Sequence, residues 1–488
     1  MEKSKKLKIV FLSSEIAPLA KTGGLADVAG ALPKYLSRID SVEIIAMMPF
    51  YREVKKKNLS VRKVLENVNL DWPGKEKVFS VFEYRNDGFR VYLIEKDSYY
   101  DRDYLYGTPT GDYPDNGERF AFFCQAALKT MKQLNFQPDL IHAHDWQTAL
   151  TFAYLKHVLK DDKFFQKTGS LFTIHNLAYQ GLFPREILQQ VGLPDYLFNL
   201  EDLEFYGKVN FLKAGLLYSQ AINTVSPTYS LEIQTPELGF GLDGVLRKRH
   251  DRLFGILNGI DYQEWNPETD PALPAHYSKQ NLAGKSVCRM ELLQTFNFPK
   301  NSPLPIIGMV SRLAGQKGFD LLAESLEEIF KRDVYLIILG TGEQKIQDLL
   351  LEAQRKHSNR LGLKIAFDDR LARLIYAGSD FFLIPSRYEP CGLTQMYSLR
   401  YGTVPIVRST GGLKDSVEEF KPEELKGNGF LFKEYETPAL LTAIDRALSF
   451  YQQEPFWSKI LLNALISDFS WEKSASKYFE LYLKILNF

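Results

Sequence analysis

Two lysine-bearing glycine turns lie at corresponding points in the two halves of the chain. Lys21, Gly23 and Gly24 follow a short apolar run. Arg312 and Lys317 follow a later apolar run and have a glycine between them. Glycines let a backbone approach an anion, and the first N–H groups of a helix favour negative charge. Both turns therefore indicate a phosphate-bearing ligand held between two similar domains. The chain contains no Walker signature.

Polar side chains end two further apolar runs of the first half. His142, His144 and Asp145 follow one run, and His175 and Asn176 follow the next. Ligands of open α/β sheets bind at the carboxyl ends of strands, so we expect these residues to face the interdomain cleft. A pair of histidines two residues apart could bind a metal, but a strand supplies no third ligand. We favour a buried, hydrogen-bonded His142 and predict no metal.

A carboxylate and a helix start follow an apolar run in the second half. Glu389 precedes a helix predicted over 395–401. Free backbone N–H groups at Gly392, Leu393 and Thr394 could hold a diphosphate, while Glu389 could accept hydrogen bonds from sugar hydroxyls. A helix-capping turn without any ligand is the alternative interpretation.

Apolar runs of strand length alternate with helical periodicity along the chain. This pattern predicts parallel sheets covered by helices, and hence two doubly wound α/β domains. A helix is predicted over 26–36, and the domain boundary is placed near 257–260. The predicted strands are 7–12, 43–48, 90–94, 139–143, 170–175, 221–225, 305–310, 335–339, 363–366, 381–385 and 403–407.

Composition narrows the class of protein. The 488 residues exceed the usual size of one domain. Lys plus Arg and Asp plus Glu number 60 each, so no overall field attracts nucleic acid or a membrane. Three widely spaced cysteines indicate neither a disulfide framework nor a metal site. The start of the chain lacks the apolar core of a signal peptide, and we expect a cytoplasmic protein.

Nine motifs, in family order over nearly the whole chain, resemble those of one known family, the bacterial glycogen synthases and starch synthases among the retaining GT-B glycosyltransferases. The motifs begin at Lys21 (KTGGLADV), Asp112 (DYPDNGERF), His142 (HAHDWQT), Thr173 (TIHNLAYQG), Thr224 (TVSPTY), Leu257 (LNGID), Ser311 (SRLAGQKG), Ser386 (SRYEPCGLTQ) and Ser409 (STGGL).

The resemblance implies a GT-B fold, in which two doubly wound Rossmann-like domains face each other across a deep cleft. It implies an N-terminal domain over 1–258 on the glucan acceptor side and a C-terminal domain over 259–467 on the nucleotide-sugar donor side. A helix over 468–488 is expected to cross back to the N-terminal domain. A surface helix for oligomerisation is the competing interpretation of this last segment.

The resemblance also implies a reaction and its residues. Glucose would be transferred from ADP-glucose to the non-reducing end of an α-1,4-glucan (glycogen or a maltooligosaccharide), with retention of configuration and without a cofactor. The implied catalytic residues are His175, Glu389, Arg312 and Lys317. The implied donor-binding residues are Lys21, Gly23, Gly24, Asp145, Asn258, Phe367, Cys391, Gly392, Leu393 and Thr394. The implied acceptor-binding residues are Tyr106, Asp112, Asp115, Asn116 and Arg119.

Two positions depart from the family pattern. Tyr397 stands where other GT-B branches have a second glutamate, and Phe367 stands where relatives often have a tyrosine stacked on adenine. A core phenylalanine is the alternative for Phe367. The alternatives for the whole protein are a GT-B enzyme that uses UDP-glucose or another acceptor, and a non-catalytic glucan-binding protein. The oligomeric state stays open.

Overall fold

The computed structural model describes residues 6–86, 88–108 and 110–487. The chain forms two compact units. The first contains the residues up to Val225, Ser230–Ile256 and the residues from Trp471 onward, and the second contains Ser226–Tyr229 and Leu257–Ser470. Residues 1–5, on which the expectation about the chain start partly depends, lie outside the described residues.

The strands of the first unit form one large sheet and two small ones. In chain order they are β1 Leu7–Leu12, β2 Val42–Pro49, β3 Val61–Leu70, β4 Lys77–Asn86, β5 Phe89–Glu95, β6 Gly107–Thr108, β7 Gly111–Asp112, β8 Leu140–His144, β9 Gly169–Ile174, β10 Leu182–Phe183, β11 Glu204–Phe205, β12 Lys208–Asn210, β13 Ala221–Thr224 and β14 Leu253–Gly255.

The large sheet has the order β14-β13-β9-β8-β1-β2-β5-β4-β3. Its strands from β14 to β5 are parallel, while β4 and β3 extend one edge as an antiparallel pair. The central strands are buried on both faces, as the apolar runs of the sequence predict for a parallel sheet.

Helices cover this sheet. They are α1 Gly24–Leu36, α2 Arg52–Lys56, α3 Asp97–Tyr100, α4 Asn116–Gln133, α5 Trp146–Ala153, α6 Ile187–Gln190, α7 Phe211–Tyr218, α8 Pro227–Glu232 and α9 Asp243–Lys248. Helix α8 spans a boundary between the two units. A π-helical turn, Tyr154–Val158, continues α5, and short 3₁₀ turns lie at Asp195–Leu197 and His250–Arg252.

The second unit contains one wholly parallel sheet. Its strands are β15 Ile306–Val310, β16 Tyr335–Gly340, β17 Leu361–Ile365, β18 Phe381–Ile384, β19 Val404–Arg408 and β20 Phe430–Phe432. They have the order β17-β16-β15-β18-β19-β20. In chain order this is 3-2-1-4-5-6, the order of doubly wound nucleotide-binding sheets.

Helices pack around this second sheet. They are α10 Ala283–Thr295, α11 Phe319–Ile329, α12 Gln344–Lys356, α13 Asp369–Gly378, α14 Thr394–Arg400, α15 Gly411–Ser416, α16 Thr437–Tyr451 and α17 Glu454–Ile466. A 3₁₀ turn, Gly315–Lys317, precedes α11. The core between the layers is aliphatic and aromatic, and it includes Ile307, Leu336 and Ile444, each completely buried.

The last helix, α18 Trp471–Leu486, belongs to the first unit. It packs against α1 and β9, and its buried side includes Tyr478 and Tyr482. The helix thus returns the chain to the unit in which it began. Within the described ranges, no helix is long and apolar enough to cross a membrane.

Candidate active site

In the first unit, β1 and β8 are neighbours at the point where the strand order reverses. β1 pairs with β2 on one side and with β8 on the other. Ligands of open α/β sheets bind outside the carboxyl ends of the strands at such a point. The loop after β1 carries Lys21, Gly23 and Gly24, and the residue after β8 is Asp145. The topology therefore brings four predicted site residues to this end of the sheet.

A buried carboxylate that sequence reasoning missed holds the loop after β1. Glu15 accepts hydrogen bonds from the backbone N–H of Thr22 at 2.5 Å, from its hydroxyl at 2.6 Å and from the Gly23 N–H. Burial raises the pKa of the Glu15 carboxyl. The N–H of Gly23, a predicted donor-binding residue, is thus bonded inside the protein. No motif identifies Glu15, because a lone glutamate between a strand and a turn has no signature.

Lys21 lies at the surface of the same loop. Its ammonium donates to Asp27 of α1 at 2.6 Å, and about half of the Lys21 side chain is exposed (47%). Ion pairs with this exposure contribute little to stability. An anionic ligand can therefore replace Asp27 as the partner of Lys21 at small cost.

Asp145 links the ends of β8 and β9. Its carboxylate accepts a hydrogen bond from the His175 backbone N–H at 2.7 Å, and its own N–H donates to the carbonyl of Thr173. Its φ of 55° lies in the left-handed region, which is uncommon for a residue other than glycine. Burial raises the pKa of Asp145 to about 7. Asp145 thus fixes the backbone of His175.

Three histidine rings form a row beside this turn. His144 Nδ1 lies 2.9 Å from His175 Nε2, and the rings of His142 and His144 have centroids 4.0 Å apart with a tilt of 40°. Burial lowers the pKa of His142 and His144 far below the ordinary value and the pKa of His175 to about 3. All three rings are therefore neutral near pH 7. His175 is the only one of these three residues that is partly exposed, so a ligand can reach His175 but not His142 or His144.

His142 has the buried, hydrogen-bonded environment that the sequence favoured. Its Nδ1 lies 2.8 Å from the Tyr482 hydroxyl of α18, and its Nε2 lies 2.7 Å from the Thr173 hydroxyl. Both ring nitrogens are occupied, so His142 is not available as a metal ligand. Within residues 6–86, 88–108 and 110–487, no group of three or more His, Cys, Asp or Glu side chains could hold a metal ion.

Three predicted acceptor residues form an internal polar network instead. Tyr106 donates to Glu15 at 2.5 Å, Asn116 donates to the Tyr106 carbonyl at 2.7 Å, and Arg119 donates to Asn116 at 2.5 Å. The Arg119 side chain is completely buried, and it also donates to the carbonyls of Tyr99 and Leu105. The prediction that Arg119 binds the acceptor directly is therefore wrong, because its side chain has no surface left for a ligand.

The two aspartates of the predicted acceptor patch are more accessible. Asp112 lies in β7 and is exposed. Asp115 precedes α4 and pairs with Arg102 at 2.5 Å, and hydrogen bonds from Arg102 hold the pKa of Asp115 below its usual value despite partial burial. Acceptor binding by these two residues stays a prediction.

In the second unit, the loops after β15 and β18 meet where the strand order reverses. Lys317 ends the 3₁₀ turn after β15, and Glu389 follows β18; their side chains pair at 2.6 Å. Ser386 donates to the same Glu389 oxygen at 3.0 Å. The structure thus joins two predicted catalytic residues that are 72 positions apart. Gly318 allows this approach, because its φ is +79° and a Cβ there would lie 2.0 Å from the Pro385 carbonyl oxygen.

Two predicted ligand contacts of the second unit are exposed. Arg312 is exposed, and its guanidinium pairs with no residue in the described part of the chain. Phe367 precedes α13 and is 87% exposed. The alternative of a core phenylalanine is thus wrong, because a core side chain would be buried. Stacking of Phe367 on a base stays a prediction.

The segment after Glu389 has unbonded backbone donors. Among the residues that the structure describes, the N–H groups of Gly392, Leu393 and Thr394 make no backbone hydrogen bond. Asn258, in the second unit, lies beside Cys391 and is buried, and burial raises the pKa of the Cys391 thiol to about 12. Such a thiol is neutral and unreactive near pH 7, so it can contribute only packing and its backbone.

Tyr397 fills the position at which a second glutamate would stand. Its ring stacks on Trp265 with centroids 3.7 Å apart and an interplanar angle of 19°, and it is buried. The guanidinium of Arg373 lies 4.1 Å from the centroid of the Trp265 ring. This position therefore belongs to the packed interior and carries no acid.

Comparison with known proteins gives the chain a family. The starch synthase catalytic domain family matches residues 8–248, and the glycosyl transferases group 1 family matches residues 293–455. A glycogen synthase of Syntrophotalea carbinolica is 46% identical over 478 residues, which cover 98% of this chain and 99% of that protein. The chain belongs to the glycogen synthase family. A glycogen synthase of Thermosipho africanus, 47% identical over 488 residues and covering 99% of each chain, agrees.

A solved structure supports the same family. The catalytic domain of starch synthase IV from Arabidopsis thaliana, bound to ADP and acarbose, has a TM-score of 0.90 and 32% identity; the match covers 99% of this chain and 100% of that one. This member of the glycogen synthase family is therefore a glycosyltransferase with the GT-B fold, as the sequence predicted.

Proposed function

We propose that this glycogen synthase family member transfers glucose from ADP-glucose to the non-reducing end of an α-1,4-glucan, with retention of anomeric configuration. The observation that carries the proposal is the contact of Lys317 with Glu389 at the switch point of the second sheet. Its relatives are glycogen synthases over their whole length, and the similar starch synthase was solved with ADP and acarbose bound.

The chemistry needs cations at the leaving group. Cleavage of the bond between the anomeric carbon and the diphosphate creates negative charge on the leaving oxygen, and fixed cations stabilise it most when that charge develops. Lys317 and the exposed Arg312 lie on one loop and would both bind the diphosphate. Glu389 holds Lys317 in place before the donor binds.

Glu389 acts by position and charge in this proposal. One of its oxygens already accepts from Lys317 and Ser386, which fixes the carboxylate. A double displacement requires a nucleophile on the opposite face of the sugar ring, and a substitution on one face does not. Glu389 would then support the positive sugar ring electrostatically and accept hydrogen bonds from its hydroxyls. No metal or cofactor takes part, and EDTA is expected to leave turnover unchanged.

The test is nucleotide release from ADP-glucose and from UDP-glucose, each with and without glycogen. We expect ADP release that depends on glycogen and falls at least a hundredfold in Glu389→Ala. Glu424→Gln, which changes an exposed carboxylate of the same unit, serves as the matched control and should retain full activity. Proton NMR of the new linkage in a maltooligosaccharide reports the anomeric configuration.

The remaining outcomes decide between the alternatives. Faster release from UDP-glucose than from ADP-glucose would assign a different donor. Binding of glycogen without release from either donor would contradict the proposal and favour a glucan-binding protein.

A further inference from the structure

We infer that His144 is a positioning residue that fixes His175 as the tautomer with its proton on Nδ1, so that His175 offers a ligand a hydrogen-bond donor and no base. The inference concerns two rings of the first unit, and only its kinetic test rests on the proposed function. The observations are the contact between the rings, their burial, the bonding of both His142 nitrogens and the lack of a described partner for His144 Nε2.

One proton lies between the two rings. His144 ends β8 and His175 follows β9, and these neighbouring strands bring His144 Nδ1 within 2.9 Å of His175 Nε2. Because both imidazoles are neutral, each carries a single N–H. Either His144 Nδ1 donates to His175 Nε2, or His175 Nε2 donates to His144 Nδ1. In the first arrangement the second nitrogen of His175, Nδ1, carries a proton and that of His144, Nε2, does not. In the other arrangement the reverse holds.

The buried nitrogen of His144 decides between these arrangements. His144 is completely buried, and its Nε2 has no hydrogen-bond partner in the described part of the chain. If His175 donated, the single proton of His144 would lie on this Nε2 as an orphaned buried donor. If His144 donates, Nε2 is only a bare acceptor. Orphaned buried N–H groups are rarer than unsatisfied acceptors, so the arrangement in which His144 Nδ1 donates to His175 Nε2 is favoured.

The rings around His144 offer no alternative acceptor. Phe11 and His142 both cover its faces, each with ring centroids 4.0 Å away and tilts of 33° and 40°. An N–H in the plane of the His144 ring points at neither face. The nitrogens of His142 are themselves bonded to Tyr482 and Thr173. The environment of His144 therefore favours its proton on Nδ1.

The consequence appears at His175. With Nε2 accepting from His144, the single proton of His175 lies on Nδ1, which bonds to no described residue. The backbone of His175 is fixed separately by Asp145. His175 would then donate to a substrate oxygen, and the oxygens of a sugar or its leaving group are suitable acceptors. It cannot remove a proton, because its only other nitrogen is already occupied.

The direct test uses the unmodified full-length chain. It contains seven histidines, so selective ¹⁵N-histidine labelling gives few long-range ¹H–¹⁵N signals, and His175→Gln and His144→Gln variants assign them. We expect protonated-type Nδ1 and unprotonated-type Nε2 signals for both His144 and His175 at pH 7. Protonation of His175 at Nε2 would overturn the inference. This readout needs no substrate, so it stands whether or not the proposed reaction is correct.

A variant series provides the kinetic test. His144→Phe keeps the packing against Phe11 but removes the donor, and kcat should fall about tenfold with little change in KM, the effect of one lost hydrogen bond to a reacting group. His144→Asn places an amide where Nδ1 was and should restore most of kcat. His157→Asn, remote in the same unit, is the control. Equal kcat in the Phe and Asn variants would contradict a positioning role.

Discussion

Asp145→Asn should stabilise the first unit more at high pH than at low pH. The folded-state pKa of Asp145 is about 7 because the carboxyl is buried, whereas the ordinary value is 3.8. The folded-state pKa is therefore raised. Below about pH 3.8 the group is protonated in both states and gives no penalty. As the pH rises towards 7, only the unfolded chain ionises, so stability is lost across this window and is constant above it.

The magnitude follows from the size of the shift. Each pKa unit corresponds to about 1.4 kcal/mol, so the penalty is about 1.6 kcal/mol at pH 5 and about 4 kcal/mol at pH 8. Asparagine does not ionise, and its Oδ1 can still accept the His175 N–H. The stability difference between Asp145→Asn and the unmodified chain should thus rise by about 2.4 kcal/mol from pH 5 to pH 8.

Native-state hydrogen exchange of the β8 and β9 amides measures this difference at both pH values. The protonation of the buried histidines at low pH affects both proteins and cancels in the comparison. Asp162→Asn is the control, because the hydrogen bond from Lys132 lowers the pKa of Asp162, so this group is ionised in both states at pH 5 and at pH 8 and its stability difference should not change between them. A difference for Asp145→Asn that does not change with pH would refute the assignment of a buried, weakly acidic carboxyl.

Three further outcomes are expected. Lys285→Met should cost about 3 kcal/mol or more in urea unfolding, because the buried ammonium lies within hydrogen-bond distance of four oxygens and its removal takes away their shared charged donor; an unchanged midpoint would contradict this. Phe367→Ala should raise KM for ADP-glucose about tenfold without loss of stability, whereas Phe367→Tyr should not; equal KM values would exclude stacking. Glu15→Ala should lower kcat/KM at least tenfold, while Glu15→Gln should keep most activity because the hydroxyls of Thr22 and Tyr106 can accept from its amide; a loss as large in Gln as in Ala would count against loop positioning.

The fold could largely be predicted because its central strands are buried on both faces. Such strands read as continuous apolar runs, and every predicted strand overlaps an observed one. The pair β3 and β4 was missed because it forms an antiparallel edge with half-exposed residues such as those of Val61–Leu70, which mix charged and apolar types. The short strand β20 was missed because three residues carry no detectable period.

The site was harder to predict because residue type does not report burial. Aromatic and charged residues near Tyr106 suggest a sugar surface, yet Arg119 is completely buried and bonded to carbonyls. Glu15 carried no signal because its partners Thr22 and Tyr106 lie 7 and 91 positions away, and only the fold brings them together. The pairing of Lys317 with Glu389 depends in the same way on the order of the strands in the sheet.

The return of α18 to the first unit determines when that unit can finish folding during synthesis. Tyr482 bonds to His142, and Tyr478 accepts a hydrogen bond from the buried Asn223. His142 and Asn223 are translated more than 250 residues before their α18 partners, and these two hydrogen bonds cannot form until α18 has emerged from the ribosome. The second unit contains residues 257–470 and can fold first. A nascent chain stalled before Trp471 is therefore expected to expose to chaperones the part of its large sheet that α18 covers in the folded protein.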